Sequence, residues 1–265
     1  MKKIMICVAA SWLVVFVGCA ALRPTDEGVS VQYVDTETGR WLVHDEDRPA
    51  PAAITPGNLP GEAPSDAVVL FDGTDLSAWT PARGDTIRWI LGDGYFETVG
   101  RTGSLATKQA FGSCQLHVEF AAPADATGTG QGRGNSGVYL MSTYEVQILD
   151  SYENETYPDG QCAALYGRAV PLVNVSRKPG EWQSYDIVFH RPVFNGNKVV
   201  RKATFTVFHN GVLVHDNVSL EGGTEWTGPN SIADYQPHED RLPLLLQDHS
   251  NPVRFRNIWI RELAD

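Results

Sequence analysis

Between Ala67 and Leu263 the chain is a succession of short strand-like runs, and no helical period persists beyond the first eighteen residues. Runs such as Val68-Phe71, Cys114-Phe120, Gln183-His190, Ala203-His209 and Val253-Leu263 are separated by turn signals, among them Asp72-Gly73, Gly92-Asp93-Gly94 and Asn210-Gly211. The Asn-Gly between FTVFH and VLVHD is the sharpest, because a type I′ turn needs two successive residues that tolerate positive φ. About a dozen strands without helices can bury their faces only as a two-sheet sandwich or a barrel. In Cys114–Phe120 apolar positions 114, 116, 118 and 120 alternate with polar ones, so one face is core and the other presents His117 and Glu119. The pattern has no internal repeat and no break, and residues 67–265 read as one all-β domain.

The front of the chain has a different texture. Lys2 and Lys3 precede an apolar run, Ile4 to Val17, too short for the roughly 20 residues of a membrane span but suited to a signal peptide. The run ends in Phe16-Val17-Gly18-Cys19. A small residue before Cys resembles a bacterial lipobox, although Phe16 departs from the usual Leu. Residues 1–18 therefore read as a signal peptide and Cys19 as a lipidation site. The expectation is an exported protein, periplasmic or membrane-anchored through Cys19, with simple secretion as the alternative. Residues 19–66 are rich in Pro, Ala, Gly and acidic residues and read as a tether, within which 31–34 and 41–44 flank TETG as a short hairpin. With Asp+Glu 32 against Lys+Arg 21, the chain lacks the basic footprint that nucleic acid requires. Cys114 and Cys162 leave two readings in an exported domain, a disulfide or two buried thiols; two cysteines alone make no zinc site.

Chemistry concentrates in Gly130–Tyr152, GQGRGNSGVYLMSTYEVQILDSY. Glu145 and Gln147 are two apart and share a strand face, while Val146 and Ile148 point to the core. Asp150 falls on the opposite face unless a bulge at Ile148-Leu149 returns it to the Glu145 row. Upstream, Gly132–Gly137 is a glycine-rich loop with no Gly-Lys-Ser/Thr, so it is no phosphate loop; its Arg133 and Asn135 suit hydrogen bonding to sugar hydroxyls. Late in the chain Gln247 and His249 share a face, and the imidazole is a general-base candidate. Arg254 and Arg256 alternate along the last strand and either reach a groove or pair with Glu119 or Glu145. His238, Glu239, Asp240 and His249 are metal-ligand types without a recognised metal-binding spacing.

Seven segments in order carry a resemblance: LFDGTDLSAW (70–79), GRGNSGVYL (132–140), YEVQILDSY (144–152), AALYG (163–167), PGEWQSYDIVF (179–189), HNGVLVHDN (209–217) and LLLQDHSNPVRFRNIWIREL (244–263). Over about residues 66–264 the chain resembles the 3-keto-disaccharide hydrolase family. The resemblance implies a concanavalin-like jelly-roll sandwich of two antiparallel sheets, similar to family 16 glycoside hydrolases, preceded here by the signal peptide and tether. It also implies cleavage of glycosides whose C3 hydroxyl has been oxidised to a ketone.

Where family 16 enzymes carry Glu-x-Asp-x-x-Glu, this chain has Glu145, Gln147 and Asp150. A retaining pair wants carboxyls about 5–5.5 Å apart, which a shortened Asp150 does not readily supply. A 3-keto sugar needs no such pair, because its ketone acidifies the C2 proton and the C1 oxygen can leave by elimination. The expected site then has Glu145 or His249 as base and Arg133, Asn135 or a divalent metal at the enolate oxygen. Asp150 or Glu119 returns a proton, and Gln147, His117, Gln247, Arg254 and Arg256 line the substrate. No cofactor is certain. An ordinary retaining glycosidase using Glu145 and Asp150, and a carbohydrate-binding module without catalysis, are the competing readings.

Overall fold

The computed structural model describes residues 32–36 and 38–264. The signal peptide and Cys19 lie outside the described residues. The chain divides into two compact units, Met1–Ala53 and Ile54–Asp265.

In the first unit, β1 (Tyr33–Thr36) and β2 (Gly39–Leu42) form an antiparallel hairpin in which Thr36 is paired with Gly39. Gly39 takes φ 129°, a region that favours glycine, and its carbonyl accepts from the Thr36 hydroxyl at 2.9 Å.

The second unit is built from β3 (Val68–Phe71), β4 (Trp79–Pro81), β5 (Ile90–Leu91), β6 (Phe96–Glu97), β7 (Leu105–Phe111), β8 (Cys114–Ala121), β9 (Ser136–Leu140) and β10 (Tyr144–Ile148). It continues through β11 (Gln183–His190), β12 (Val193–Asn195), β13 (Lys198–Arg201), β14 (Thr204–His209), β15 (Val212–Ser219), β16 (Leu242–Leu246) and β17 (Arg254–Glu262). These form a five-stranded sheet in the order β10-β9-β16-β7-β4 and an eight-stranded sheet in the order β15-β14-β11-β8-β17-β6-β5, with β3 beside β17. Every pairing is antiparallel, and β12 and β13 form a separate hairpin. The architecture is the expected all-β jelly-roll sandwich.

Alternation explains the packing. Along β11 the residues are buried and half-buried in strict turn, which sends Tyr185, Ile187 and Phe189 into the core. The five-stranded sheet contributes Val138, Leu140, Val146, Ile148, Leu244 and Leu246 to the same core. Phe96 packs on Phe71, Trp79, Trp89 and Phe255 at one end of it. The β14–β15 hairpin turns at Asn210 (φ 52°) and Gly211 (φ 77°), the two positive φ values that Asn-Gly was expected to supply.

The structure differs from the sequence reading at several points. Ala163–Tyr166, by its apolar content another strand-like run, forms only bridges, Leu165 meeting Val146 and Ala169. Residues 54–66, read as the end of a tether, belong to the second unit. The Gly61 carbonyl accepts from Trp259 Nε1 at 2.8 Å and Asn257 Nδ2 at 2.9 Å, on the outer face of the eight-stranded sheet. Gly61 has φ +86°, and a Cβ there would come within 3.1 Å of His117 Nε2, so two constraints select glycine.

Cys114 and Cys162 are free, buried thiols, which overturns the disulfide reading. Cys114 sits opposite Phe189, whereas Cys162 Sγ contacts the Tyr185 hydroxyl at 3.0 Å, so the two engage different parts of β11. Burial pushes the Cys114 thiol up to about 12, which keeps it protonated and unreactive.

Candidate active site

β9 and β10 pair in unbroken register, Glu145 opposite Tyr139 and Gln147 opposite Gly137. Val138, Leu140, Val146 and Ile148 take the core side. Gly137, Tyr139, Glu145 and Gln147 therefore occupy the other face of the five-stranded sheet. Gln247 follows β16 on that same face and donates its Nε2 to the Tyr139 hydroxyl at 3.0 Å.

That face is covered. Backbone bonds from Gln147 to Ala164, from Ala163 to Gln147 and from Tyr166 to Glu145 fasten residues 163–166 along the edge of β10. The Glu145 N–H donates to Thr224 Oγ1 at 2.8 Å. In consequence all five residues of β10 are buried, and Glu145 is 4% exposed. Its carboxyl lies over Gly137, where a Cβ would collide with it. Burial raises the Glu145 carboxyl to about 8, and a hydrogen bond from Tyr139 opposes part of that rise. Burial first, and then the Glu145 charge, push the Tyr139 phenol well above its usual value, so it stays a hydrogen-bond donor.

The amides complete the cluster. Gln147 Nε2 donates to Gln131 Oε1 at 3.0 Å, and Asn135 Nδ2 donates to the Gln131 carbonyl at 2.9 Å. The Oε1 atoms of Gln147 and Gln247 are buried and accept no hydrogen bond among the described residues. Two buried carbonyl acceptors beside a carboxyl and a phenol are what the hydroxyls of a sugar can satisfy.

An open cleft of about 510 Å³ adjoins this cluster, with Tyr157, Tyr166, Arg168, Thr224 and Trp226 in its wall. Thr224 and Tyr166 belong to both, since each hydrogen-bonds the Glu145 backbone. The Tyr157 and Tyr166 hydroxyls meet at 2.7 Å.

Several expected site residues lie elsewhere. The β9–β10 ladder has no bulge and stops at Ile148. Asp150 is 2% exposed and forms an ion pair with Arg133 Nε at 2.7 Å, while its backbone N–H donates to the Arg133 carbonyl. The Asp150 carboxylate also accepts from the Tyr152 N–H, and Arg133 reaches the Tyr152 carbonyl. Arg133 and Asp150 thus clasp the glycine-rich loop to the end of β10, and neither shares a hydrogen bond with Glu145. His249 is exposed beyond the end of β16, and its ring makes no hydrogen bond among the described residues. His238 bonds the Tyr144 hydroxyl, and Asp240 pairs with Arg191. Among the described residues no three His, Cys, Asp or Glu side chains gather as a metal site.

His117, Glu119, Arg254 and Arg256 lie on the opposite sheet. His117 stacks on Trp259 and sits 2.7 Å from Asp186 and 3.7 Å from Glu119. Burial lowers its pKa, but the bonds to Asp186 and Glu119 outweigh that and carry it up to about 9. Burial acts to raise Glu119, yet its bonds to His117, Asn257 and Arg256 take it down to about 2. Arg254 lies over Tyr95 and Trp182, and Arg256 over Trp182. This second cluster binds β8, β11 and β17 to the Gly61 strap, on a different sheet from Glu145. A separate cleft of about 340 Å³ opens over this cluster, and alternation along β8 shows which face His117 takes but not that it lies on the sheet opposite Glu145.

Sequence reasoning missed Gly137, Tyr139, Gln131 and Thr224. Gly137 and Tyr139 flank the core residue Val138 with a period of two, the signal that would have placed them opposite Gln147 and Glu145. Gln131 and Thr224 sit in loops and carry no such pattern.

The profile of the 3-keto-alpha-glucoside-1,2-lyase-like domain matches residues 66–261. The chain belongs to the 3-keto-disaccharide hydrolase family. A crystal structure of a candidate glycosyl hydrolase from Parabacteroides distasonis shares 44% identity with this family member, covers 82% of this chain and 93% of its own, and superposes with TM-score 0.77. A second from the same organism, 20% identical with TM-score 0.56 over 75% of this chain and 94% of its own, shares the fold. Comparison with curated proteins finds no match. Family membership and the 44% identical relative make this a carbohydrate-active, glycosidase-like domain.

Proposed function

We propose that this protein cleaves glycosides whose sugar carries a ketone at C3, by elimination across C1 and C2 followed by addition of water. The observation that carries the reading is Glu145, a buried carboxyl whose proton affinity burial has brought close to the working pH, hydrogen-bonded to a phenol on the covered sheet face. A base in that range is matched to a carbon acid activated by an adjacent ketone.

The Glu145 carboxylate removes the proton from C2, and the electron pair delocalises into the C3 ketone as an enolate. The second N–H of the Gln247 amide, whose first goes to Tyr139, is the donor this face offers the developing oxyanion. The enolate collapses to the C1–C2 double bond as the C1–oxygen bond breaks. The leaving oxygen departs as an alcohol with the proton that Glu145 passes back through Tyr139. Water then adds with its hydroxyl at C1 and its proton at C2. The ketone is regenerated, no oxidant is consumed, and the net change is hydrolysis. The Arg133–Asp150 ion pair disfavours the retaining alternative, because the second carboxylate that displacement requires is tied to a guanidinium. The export signal and Cys19 fit a protein that meets its substrate outside the cytoplasm, free or tethered to a membrane.

The test is cleavage of a 3-keto-glucoside in deuterated water, with the unoxidised glucoside alongside. Elimination and hydration place deuterium at C2 of the product, and Glu145→Gln lowers the rate at least a hundredfold. Cleavage of the unoxidised sugar, a product without deuterium, or full activity in Glu145→Gln would sink the reading.

A further inference from the structure

The side-chain amides near Glu145 are oriented as a chain, anchored at two backbone carbonyls that can only accept. The Gly160 carbonyl, in the 3-10 turn Pro158–Gly160, takes Nε2 of Gln131 at 2.8 Å. The Gln131 carbonyl takes Nδ2 of Asn135 at 2.9 Å. With its nitrogen committed to Gly160, Gln131 turns Oε1 inward, where it accepts from Gln147 Nε2 at 3.0 Å and from Asn135 Nδ2 at 3.3 Å. The other N–H of Gln147 reaches toward the same Gly160 carbonyl at 3.4 Å. Both hydrogens of Gln147 Nε2 are thereby used, and Gln147 offers the rest of the face only its oxygen. Gly160 lets the anchor come close, since a Cβ there would lie 2.9 Å from Gln131 Nε2 and 2.1 Å from the Tyr157 ring.

The Gln147 oxygen is buried and accepts no hydrogen bond among the described residues. Gln147 is the cross-strand partner of Gly137, and the Glu145 carboxyl lies over Gly137. The unused acceptor and the carboxyl therefore share one cross-strand site on the covered face. Beside a carbonyl oxygen a carboxyl is favoured with its proton on, because it can then donate; a carboxylate would meet a second acceptor. Turned end for end, the Gln147 amide would present an N–H and favour the charged form. Gln131 opposes that turn, which would set Gln147 Oε1 against Gln131 Oε1 and leave two buried acceptors without a donor.

The titratable groups within electrostatic reach of Glu145 are phenols. They are Tyr139 on β9, Tyr157 and Tyr166 in the covering segments, and Tyr185 on β11. The end of β16 and the loop at Thr224 contribute Gln247 and Thr224, which do not titrate. No charged side chain among the described residues shifts Glu145; burial raises it and Tyr139 opposes part of the rise.

We propose that Gln131 is a positioning residue, holding the Gln147 amide with its oxygen toward the Glu145 carboxyl, where that oxygen receives the carboxyl's proton. The consequence for turnover rests on the reading of Glu145 as the base; the effect on Glu145 itself rests on the amide chain alone. Gln131 and burial then act in the same direction, keeping Glu145 neutral to higher pH. A carbonyl oxygen has two lone pairs, so a sugar hydroxyl can share the same atom.

The experiment titrates Glu145 directly, by carbon NMR of labelled carboxyls in the whole protein without substrate, with Glu145→Gln identifying the resonance. Gln131→Met keeps the length of the side chain and removes its donor and its acceptor. Gln131 is half-buried in a loop outside the hydrophobic core, so the core is left intact. The midpoint is expected about one pH unit lower in Gln131→Met than in wild type, and the rising limb of kcat/KM on a 3-keto-glucoside should move with it. Gln131→Asn keeps an amide that is one methylene shorter and is expected to fall between the two; it carries the test if the Met variant does not fold. In Gln147→Met, which has no amide to turn, adding Gln131→Met is expected to leave the midpoint in place. A midpoint that stays or rises in the Gln131 variants would overturn the proposal. So would an equal fall in the Gln147→Met background, because Gln131 would then act by another route. The expected fall in a protein that cleaves no 3-keto-glucoside would uphold the amide chain and overturn the elimination reading.

Discussion

The carboxyl of Glu145 occupies the space where Gly137, its diagonal neighbour across the β9–β10 ladder, would carry a side chain. The two positions are read as one unit, because the acid can lie flat on the sheet only while its neighbour has no Cβ. Gly137 does not have a positive φ, so the demand is for space and not for backbone freedom.

Gly137→Ala should therefore act as a displacement of Glu145. The added methyl meets the carboxyl and the Tyr139 ring, and both must move. Activity on a 3-keto-glucoside is expected to fall by about a hundredfold, in keeping with the cost of misplacing a reacting group by about 1 Å. Stability should fall by roughly 1–3 kcal/mol from overpacking. A thermal melt and initial rates measured on the same preparation would show whether the two losses occur together.

Tyr139→Phe should move the pH profile in a stated direction. The Tyr139 hydroxyl opposes the burial that raises Glu145 to about 8. Without it the carboxyl rises further, and the base is ionised only at higher pH. The limb of kcat/KM that climbs with pH near 8 in the wild type is expected to shift upward in the variant. A limb that stays in place would show that the phenol does not tune this carboxyl.

Glu145→Gln should stabilise the fold at alkaline pH. A carboxyl raised from 4.5 to about 8 favours the folded state while it is neutral. That contribution is complete below pH 4.5 and is lost as pH rises through 8. An amide has no charge to bury. Its advantage over wild type in Tm should be absent near pH 4, grow between pH 5 and 8, and level off above that. Melts across this range, in matched ionic strength, test the sign.

Asp150→Asn should be a stability variant. It leaves the Arg133 guanidinium facing a neutral group at a site where the partner is 2% exposed. Breaking a buried pair by changing one member costs about 3–5 kcal/mol, and the exposed edge of Arg133 places this case at the lower end. The expected result is a clear drop in Tm with residual activity per folded molecule far above that of Glu145→Gln. Equal losses of activity in the two variants would return Asp150 to the chemistry.

The strands were legible because alternation is a local signal. β11 and β14 sit where the apolar period of two placed them, and the Asn210-Gly211 turn needed only its own two residues. Glu145 and Gln147 were legible as a pair for the same reason. Asp150 was not, because its fate depends on Arg133, seventeen positions earlier, whose backbone and side chain both hold it. His117 and Arg256 read correctly as facing away from the core, yet period alone cannot say that they lie on the sheet opposite Glu145. The burial of Glu145 comes from residues 163–166 and Thr224, loop segments with no periodicity to betray that they fold back over β10. Tether composition likewise concealed Gly61, whose role is set by Trp259 nearly two hundred residues downstream.

That anchor has a mechanical consequence. If the chain ahead of residue 54 is fixed to a surface, tension along it is met first where Thr55 pairs with Ser65 and passes from there into β3 and β17 of the eight-stranded sheet, to which the Gly61 carbonyl is also fastened through Trp259 and Asn257. The load is then taken up by the sheet that does not carry Glu145, and the proposed catalytic face is insulated from movements of such a mooring.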